Sequence, residues 1–353
     1  MMNRATILEW LRENDTARLQ ALWQQADALR REEVGNAVHL RGLIEFSNCC
    51  VRQCTYCGLR AGNTELPRYR LSAEQILECA HQTVALGYGT VVLQSGEDPE
   101  LDPTWMYRVI DRIKQETNLA ITLSLGERSV AELESWRQAG ADRYLLRFET
   151  SNPTLFRRIH PPAKGKDCDR LLLLSTLREL GYEVGSGVMI GVPGQSYDDL
   201  ASDLLLFAQI DLDMIGVGPY IAHPQTPLGR EPARFPFPTE DQVPNTEEMT
   251  YKVIALTRLL CPQANIPSTT ALATINPVNG REKGLQRGAN VVMPNVTPNE
   301  ERLAYEIYPN KACVRDAAAK CKSCLQKRIT GLGRTIGKGP GSSPNFQIRT
   351  FST

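Results

Sequence analysis

Apolar residues recur along the chain in two rhythms. Near the N-terminus Leu8, Leu11, Leu19, Leu22, Trp23 and Leu29 fall at helical spacing, which predicts two short amphipathic helices. Thr6-Ile7-Leu8-Glu9 reads as a capping box for the first. A second box, Ser72-Ala73-Glu74-Gln75, opens a helix with Ile76, Ala80 and Val84 on one face. Beyond it a unit repeats: a helix stops at a glycine, and an apolar strand begins within a few residues. Leu86-Gly87-Tyr88-Gly89 leads into residues 90–93, Ala139-Gly140-Ala141 into 144–148, and Leu180-Gly181-Tyr182 into 184–190. Glycine supplies the left-handed residue that ends a helix. Near-continuous apolar strands belong to parallel sheet covered by helices.

Eight strands are expected, near residues 41–46, 90–95, 120–124, 143–149, 183–190, 214–219, 265–271 and 290–294. Alternating with helices, they predict an α/β fold and a complete (β/α)8 TIM-type barrel. An open doubly wound sheet is the alternative. The expected organisation is an N-terminal helical segment over 1–35, the barrel over 36–300 and a C-terminal extension over 301–353. Residues 225–247, rich in proline, read as a surface excursion. Gly331 to Ser343 reads as a partly disordered tail.

In such a barrel, chemistry sits at the C-terminal ends of the strands. Polar residues gather there: Gln94-Ser95-Gly96-Glu97 after the second strand, Ser124 to Glu127 after the third, Glu149-Thr150 after the fourth, and His223-Pro224 after the sixth. Arg147 and Glu149 share one strand and one face by the period of two. Opposite charges in an apolar strand are costly unless paired or bound to something.

Composition narrows the classes. Of 353 residues, 42% are hydrophobic and 23% charged, as in ordinary globular proteins. Lys plus Arg is 40 and Asp plus Glu is 40, which gives no electrostatic reason to expect nucleic acid or an anionic membrane as partner. No apolar run reaches the length of a membrane span, and the charged N-terminus is not a secretory signal. The ten cysteines are therefore expected as thiols in a reducing cytoplasm rather than as disulfides.

Six of those cysteines fall in two clusters. Directly after the first strand, Cys50, Cys54 and Cys57 stand at C-x3-C-x2-C spacing, with Tyr56 before the last. Three thiolates can hold three irons of a 4Fe-4S cube and leave the fourth open to bind a small molecule and pass it an electron. Structural zinc and closed clusters both take four ligands, and this loop offers three. Cys49 points away from its neighbour in an extended segment. Cys313, Cys321 and Cys324 form the second group, at x7 and x2 spacing. An iron–sulfur cluster, a zinc site and three reduced thiols all fit it. Cys79, Cys168 and Cys261 stand alone and read as small buried hydrophobes.

The loop Cys54-Thr55-Tyr56-Cys57, followed by Ser95-Gly96-Glu97 and by Gly187 to Gly194 on the fifth strand, resembles the radical S-adenosylmethionine (SAM) enzymes. Serine replaces the first glycine of their commoner Gly-Gly-Glu form. A plain strand-to-loop turn and a glycine-containing core strand are the other readings of the last two motifs. The resemblance covers residues 35–330. Within that group it points to FeFe-hydrogenase maturases of the HydE type, on Cys54 to Arg60, Leu93 to Pro99, Arg147 to Pro153, Asp213 to Pro219, Asn290 to Asn295, Tyr308 to Cys313 and the second cysteine group. Biotin synthase and methylornithine synthase share the overall pattern.

The resemblance implies roles. Cys50, Cys54 and Cys57 would ligate the catalytic 4Fe-4S cluster, and Tyr56 and Met189 would lie along adenine. Gln94, Ser95, Gly96 and Glu97 would hold the amino end of SAM, Glu149 a ribose hydroxyl, and Arg170 the carboxylate through its two-pronged fork. Thr122 and Met214 would complete the SAM side of the cavity. Arg147, Thr269, Thr270, Met293, Tyr305 and Tyr308 would line its substrate side. Core packing is the other reading for the cavity residues, and a solvated helix face for Arg170. The implied activity is reductive cleavage of SAM to a 5′-deoxyadenosyl radical. The implied substrate is a small cysteine-bound iron species carrying carbon monoxide and cyanide, on the path to the hydrogenase diiron centre. An electron donor such as ferredoxin or flavodoxin is implied as partner, with other hydrogenase maturases alongside. A methylornithine- or biotin-synthase-like enzyme, and a non-catalytic iron–sulfur carrier, are the alternatives.

Overall fold

The computed structural model describes residues 2–163, 169–231, 240–314 and 318–351. Its strands are β1 (Ala37–Ser47), β2 (Thr90–Ser95), β3 (Ala120–Ser124), β4 (Arg143–Leu145), β5 (Glu183–Ile190), β6 (Met214–Pro219), β7 (Val291–Val292) and β8 (Thr335–Ile336). All pair in parallel, in the order β6-β5-β4-β3-β2-β1-β7, and β8 joins the start of β1. The strand bodies are apolar on both faces because helices cover the outside.

The expected complete eight-stranded barrel appears in part, as a curved parallel α/β sheet. Residues 265–268 form no strand. They touch the sheet through isolated bridges, Met214 to Asn265 and Pro267 to Val291. Pro267 has no amide hydrogen to extend a ladder. Two residues later Thr269 turns away to cap the helix Thr270–Ile275. The fourth strand ends at Leu145 rather than 149. Beyond it Leu146 and Glu149 still donate to the carbonyls of Gly185 and Gly187, but Glu149 takes a left-handed backbone, φ 62°, which breaks regular pairing.

Helix caps follow the sequence, with one shift. Ser72 and Gln75 form the expected box before the helix Ala73–Ala85. The first helix, however, runs Arg4–Arg12 and is capped by Asn3, whose side chain accepts from the amide of Thr6. Asparagine is a good cap and lies one position ahead of the helix. Thr6 is thus inside the first turn, and Glu9 pairs with Arg18 instead.

The tail expected to be partly disordered is ordered, because it satisfies charges buried at the floor of the sheet. Arg143 and Glu183, at the starts of β4 and β5, form a fully buried ion pair at 2.5 Å. Arg143 Nη2 also donates to the carbonyl of Pro340 and to Ser342 Oγ, both at 2.9 Å. The amide of Ser343 donates to Glu183 at 2.9 Å, and Arg41 and Asn265 donate to the carbonyl of Gly341. The helix Pro344–Phe351 follows, with Arg349 paired to Asp213 at 2.5 Å. Such charges are tolerated in the interior only when paired and hydrogen-bonded. Among the described residues no helix is long and apolar enough to cross a membrane.

Candidate active site

From that floor, where Arg41 and Asn265 also line it, a cavity of about 390 Å³ runs up to the C-terminal strand ends. It gathers most of the residues singled out from the sequence. Cys50, Cys54, Tyr56, Cys57, Gln94, Ser95, Glu97, Thr122, Arg147, Glu149, Arg170, Met189, Met214, Thr269, Thr270, Met293 and Tyr308 all line it. Gly96 stands behind the wall. A Cβ there would collide with the carbonyl of Cys49 and lie 2.8 Å from Cys50 Cβ, so glycine is what lets the loops approach. Tyr305 is buried beside the wall, and its hydroxyl accepts from Gln94 Nε2 at 3.1 Å.

The cysteine loop is pinned from several sides. Val51 donates its amide to the carbonyl of Glu97, Thr55 to Ile159 and Gly58 to Ile307. Cys49 turns from the cavity toward the carbonyl of Tyr69, at 3.8 Å. Burial, and then the proximity of Cys57 and Cys50, push the Cys54 thiol well up, and burial with Cys50 pushes Cys57 up to about 12. Three neighbouring thiols that are buried or half-buried resist ionising side by side, which a bound cation would relieve. Among the described residues no three His, Cys, Asp or Glu side chains are gathered to hold a single metal ion.

Some cavity atoms lack partners. Arg147 Nη2 lies 3.0 Å from Glu149 Oε2, yet Glu149 Oε2, Arg147 Nε and Thr122 Oγ1 are buried without a hydrogen bond. With the left-handed backbone of Glu149, this marks a wall shaped for something polar. Arg170 opens the helix Arg170–Glu179, which Asp169 caps. Its Nε donates to Glu127 Oε1 at 2.7 Å and its Nη1 to the carbonyl of Arg147 at 2.5 Å. Glu97 is held too, by Arg52 at 2.8 Å.

Several residues at this site were missed in the sequence. Arg52 is buried between Glu97 and Glu127. His160 bridges Cys54 and Arg170, each at 2.9 Å. Burial alone would raise Glu127, but the guanidinium groups of Arg170 and Arg52 beside it outweigh that and bring the carboxyl down to about 2. Lys311 reaches the cavity wall and pairs with Glu45 of β1. An isolated lysine or histidine gives no sequence signal of its partner, although a Glu inside the apolar run of β1 signalled that one was needed.

The second cysteine group is not assembled among the described residues. Cys313, itself in a left-handed conformation, lies on the cavity lining with Arg281 Nη1 at 4.0 Å. Cys324 is exposed on the helix Ala318–Gly331. Cys321 lies on the same helix, but its side chain is outside the described residues, as is Cys168.

Residues 44–207 match the radical SAM superfamily model. The chain is 47% identical over 350 residues to the FeFe hydrogenase maturase subunit HydE of Thermotoga maritima, covering 99% of this chain and 95% of that protein. The chain belongs to the radical SAM superfamily. As a radical SAM enzyme and HydE homologue it has more distant kin, such as 3-methylornithine synthase of Methanosarcina acetivorans, 29% identical over 89% of this chain and 85% of the relative. The crystal structure of methylornithine synthase superposes with a TM-score of 0.81 at 25% identity, over 99% of this chain and 96% of that one. HydG, a maturase of the FeFe hydrogenase, shares the fold at TM-score 0.77 and 18% identity, over 99% of this chain and 77% of that one. Membership in this radical SAM family implies a 4Fe-4S cluster and SAM. The residues present fit both: Cys50, Cys54 and Cys57 line the same cavity as Glu149, Arg147 and Thr122, whose buried atoms include several without a hydrogen bond.

Proposed function

We propose that this radical SAM enzyme acts in assembly of the FeFe-hydrogenase diiron cofactor, with Cys50, Cys54 and Cys57 holding a 4Fe-4S cluster that keeps one iron open. The observation that carries the reading is the meeting of the three thiols with Glu149, Thr122 and Arg170 on one cavity. Cluster and SAM, when bound, supply one-electron cleavage of SAM to a 5′-deoxyadenosyl radical. The chain's own residues do the positioning. Ser95 holds the amino group, with Gly96 behind it letting the cysteine loop approach, Arg170 the carboxylate, and Glu149 a ribose hydroxyl, while Tyr56 and Met189 flank adenine. Arg147, Thr269, Thr270, Met293, Tyr305 and Tyr308 shape the far end for a small cysteine-bound iron carbonyl and cyanide species. The segment from Tyr305 to Lys311 covers the mouth and keeps water from the reacting groups. The working division is residues 1–35 as helical support, 36–300 as a complete (β/α)8 barrel closed through residues 265–268, and 301–353 as an extension with a second cluster on Cys313, Cys321 and Cys324. A ferredoxin or flavodoxin delivers the electron, and other maturases act alongside.

Changing Cys50, Cys54 and Cys57 together to Ala tests the central claim. The variant should lose its catalytic iron and make no 5′-deoxyadenosine under reducing conditions, yet keep its circular dichroism. Continued 5′-deoxyadenosine formation would remove those cysteines from the mechanism. A wild-type protein that cleaves SAM but fails to restore hydrogenase maturation would favour the methylornithine-synthase-like reading.

A further inference from the structure

His160 is the one histidine that touches a cysteine of the loop among the described residues. It is buried, and it contacts Cys54 Sγ through Nδ1 and Arg170 Nη2 through Nε2, each at 2.9 Å. The two contacts fix its proton. A guanidinium can only donate, so Nε2 must accept from Arg170 and carries no hydrogen. Glu127 Oε1, at 3.5 Å from the same nitrogen, is too far to reverse this, and it already accepts from Arg170 Nε at 2.7 Å. A neutral imidazole has one N–H. It therefore sits on Nδ1 and points at the sulfur.

We propose that His160 is a positioning residue with two separable jobs: its Nδ1–H donates to the Cys54 sulfur that holds the cluster, and its Nε2 holds the Arg170 fork toward the SAM carboxylate. The inference rests on the reading of Cys54 as a cluster ligand and Arg170 as a SAM contact. A hydrogen bond to a ligating thiolate draws charge from it and raises the potential of the cluster. The same ring, wedged under Phe156 with centroids 5.1 Å apart, cannot rotate freely to break either contact. The ligand that receives the electron and the metal that gives it are thus registered to each other through one side chain.

The two jobs can be split by isosteres. In His160→Asn the amide nitrogen occupies the place of Nδ1 and keeps the donor to Cys54, but nothing reaches Arg170. In His160→Gln the amide oxygen reaches the place of Nε2 and keeps the acceptor for Arg170, but the donor to sulfur is lost. His160→Leu loses both. Each anaerobically reconstituted protein is assayed for iron, for midpoint potential by electron paramagnetic resonance titration, and for SAM affinity by equilibrium binding. The Asn variant should keep the wild-type potential and bind SAM several-fold more weakly. The Gln variant should keep the affinity and shift to a more negative potential, and Leu should show both defects. Asn and Gln variants that behave alike, or a Leu variant with wild-type potential and affinity, would overturn the proposal. Wild-type protein that holds no cluster would instead overturn the reading on which it rests.

Discussion

Lys311 Nζ sits 2.7 Å from Glu45 Oε1, so the Tyr305–Lys311 segment, whose Ile307, Tyr308 and Lys311 line the cavity, is fastened to the first strand. Both side chains are buried, and Lys311 also donates to the carbonyl of Tyr305 at 2.9 Å. Burial pushes the Glu45 carboxyl up, and Lys311 is the main force holding it down. Removing one partner leaves an uncompensated interior charge, which costs about 3–5 kcal/mol. Lys311→Met should therefore lower stability by about that much in denaturant unfolding. Lys311→Met combined with Glu45→Leu should recover most of the loss. If the single variant matches wild type, the pair is not holding the segment down.

Glu149 and Arg170 should separate ligand binding from stability. Within the protein Glu149 Oε2 meets only the half-buried Arg147, at 3.0 Å and without a well-formed hydrogen bond, and a Gln oxygen can keep that contact, so Glu149→Gln should weaken SAM binding with little change in melting temperature. The expected loss for one charge-assisted hydrogen bond is about 1.5–3 kcal/mol, roughly ten- to a hundredfold in affinity. Arg170 also neutralises the buried Glu127, so Arg170→Met should lose affinity and melting temperature together. Calorimetric titration with SAM and thermal unfolding of the same samples check both.

The pH dependence of stability has a specific source in Asp203. Burial pushes its carboxyl up to about 7, with Ser151 only partly opposing. The folded state then binds a proton that the unfolded chain, with an ordinary carboxyl near 4, has released. Stability from this group is present at low pH and declines as pH rises from about 4 toward 7. Asp203→Asn should flatten that decline in urea unfolding measured at intervals across the range. An unchanged slope would show that Asp203 does not carry it.

The floor can be opened at one atom. A Cβ on Gly89 would collide with the carbonyl of Gly339. Gly89→Ala should displace residues 339–343 and strand Arg143 and Glu183. A loss of about 2–4 kcal/mol and rapid proteolysis near Gly339 are expected, since a buried ion pair loses its hydrogen bonds. Wild-type protease resistance would mean that the tail only rests on the floor.

The second cysteine group should be peripheral to SAM cleavage. Changing Cys313, Cys321 and Cys324 together to Ser should leave 5′-deoxyadenosine production intact and lower the iron content. Wild-type iron in that variant would show that the group holds no cluster.

What the sequence revealed and what it hid divide along physical lines. The first six parallel strands, the glycine stops and the capping box at Ser72 are local or periodic signals and stand near where expected, whereas 265–271 forms no strand and the short strand at Thr335–Ile336 gave no signal. The cysteine loop and Glu149 were legible because three thiols at short spacing, and charges in an apolar strand, are costly without a purpose. Contacts between distant segments were hidden. Nothing near His160 announces Cys54, which is 106 residues away. Nothing in the glycine-rich tail announces that its backbone carbonyls serve Arg143. Composition made that tail look disordered because flexible residues were needed to follow the floor closely.

That floor orders events during synthesis. Ser343 lies 160 residues beyond the Glu183 that it satisfies, so β4 and β5 leave the ribosome well before the residues that close them from below. Until residues 340–343 have been made, Arg143 and Glu183 lack the carbonyl, hydroxyl and amide partners that those residues supply. Nascent chains cut short before residue 340 would carry the whole cysteine loop yet lack its base.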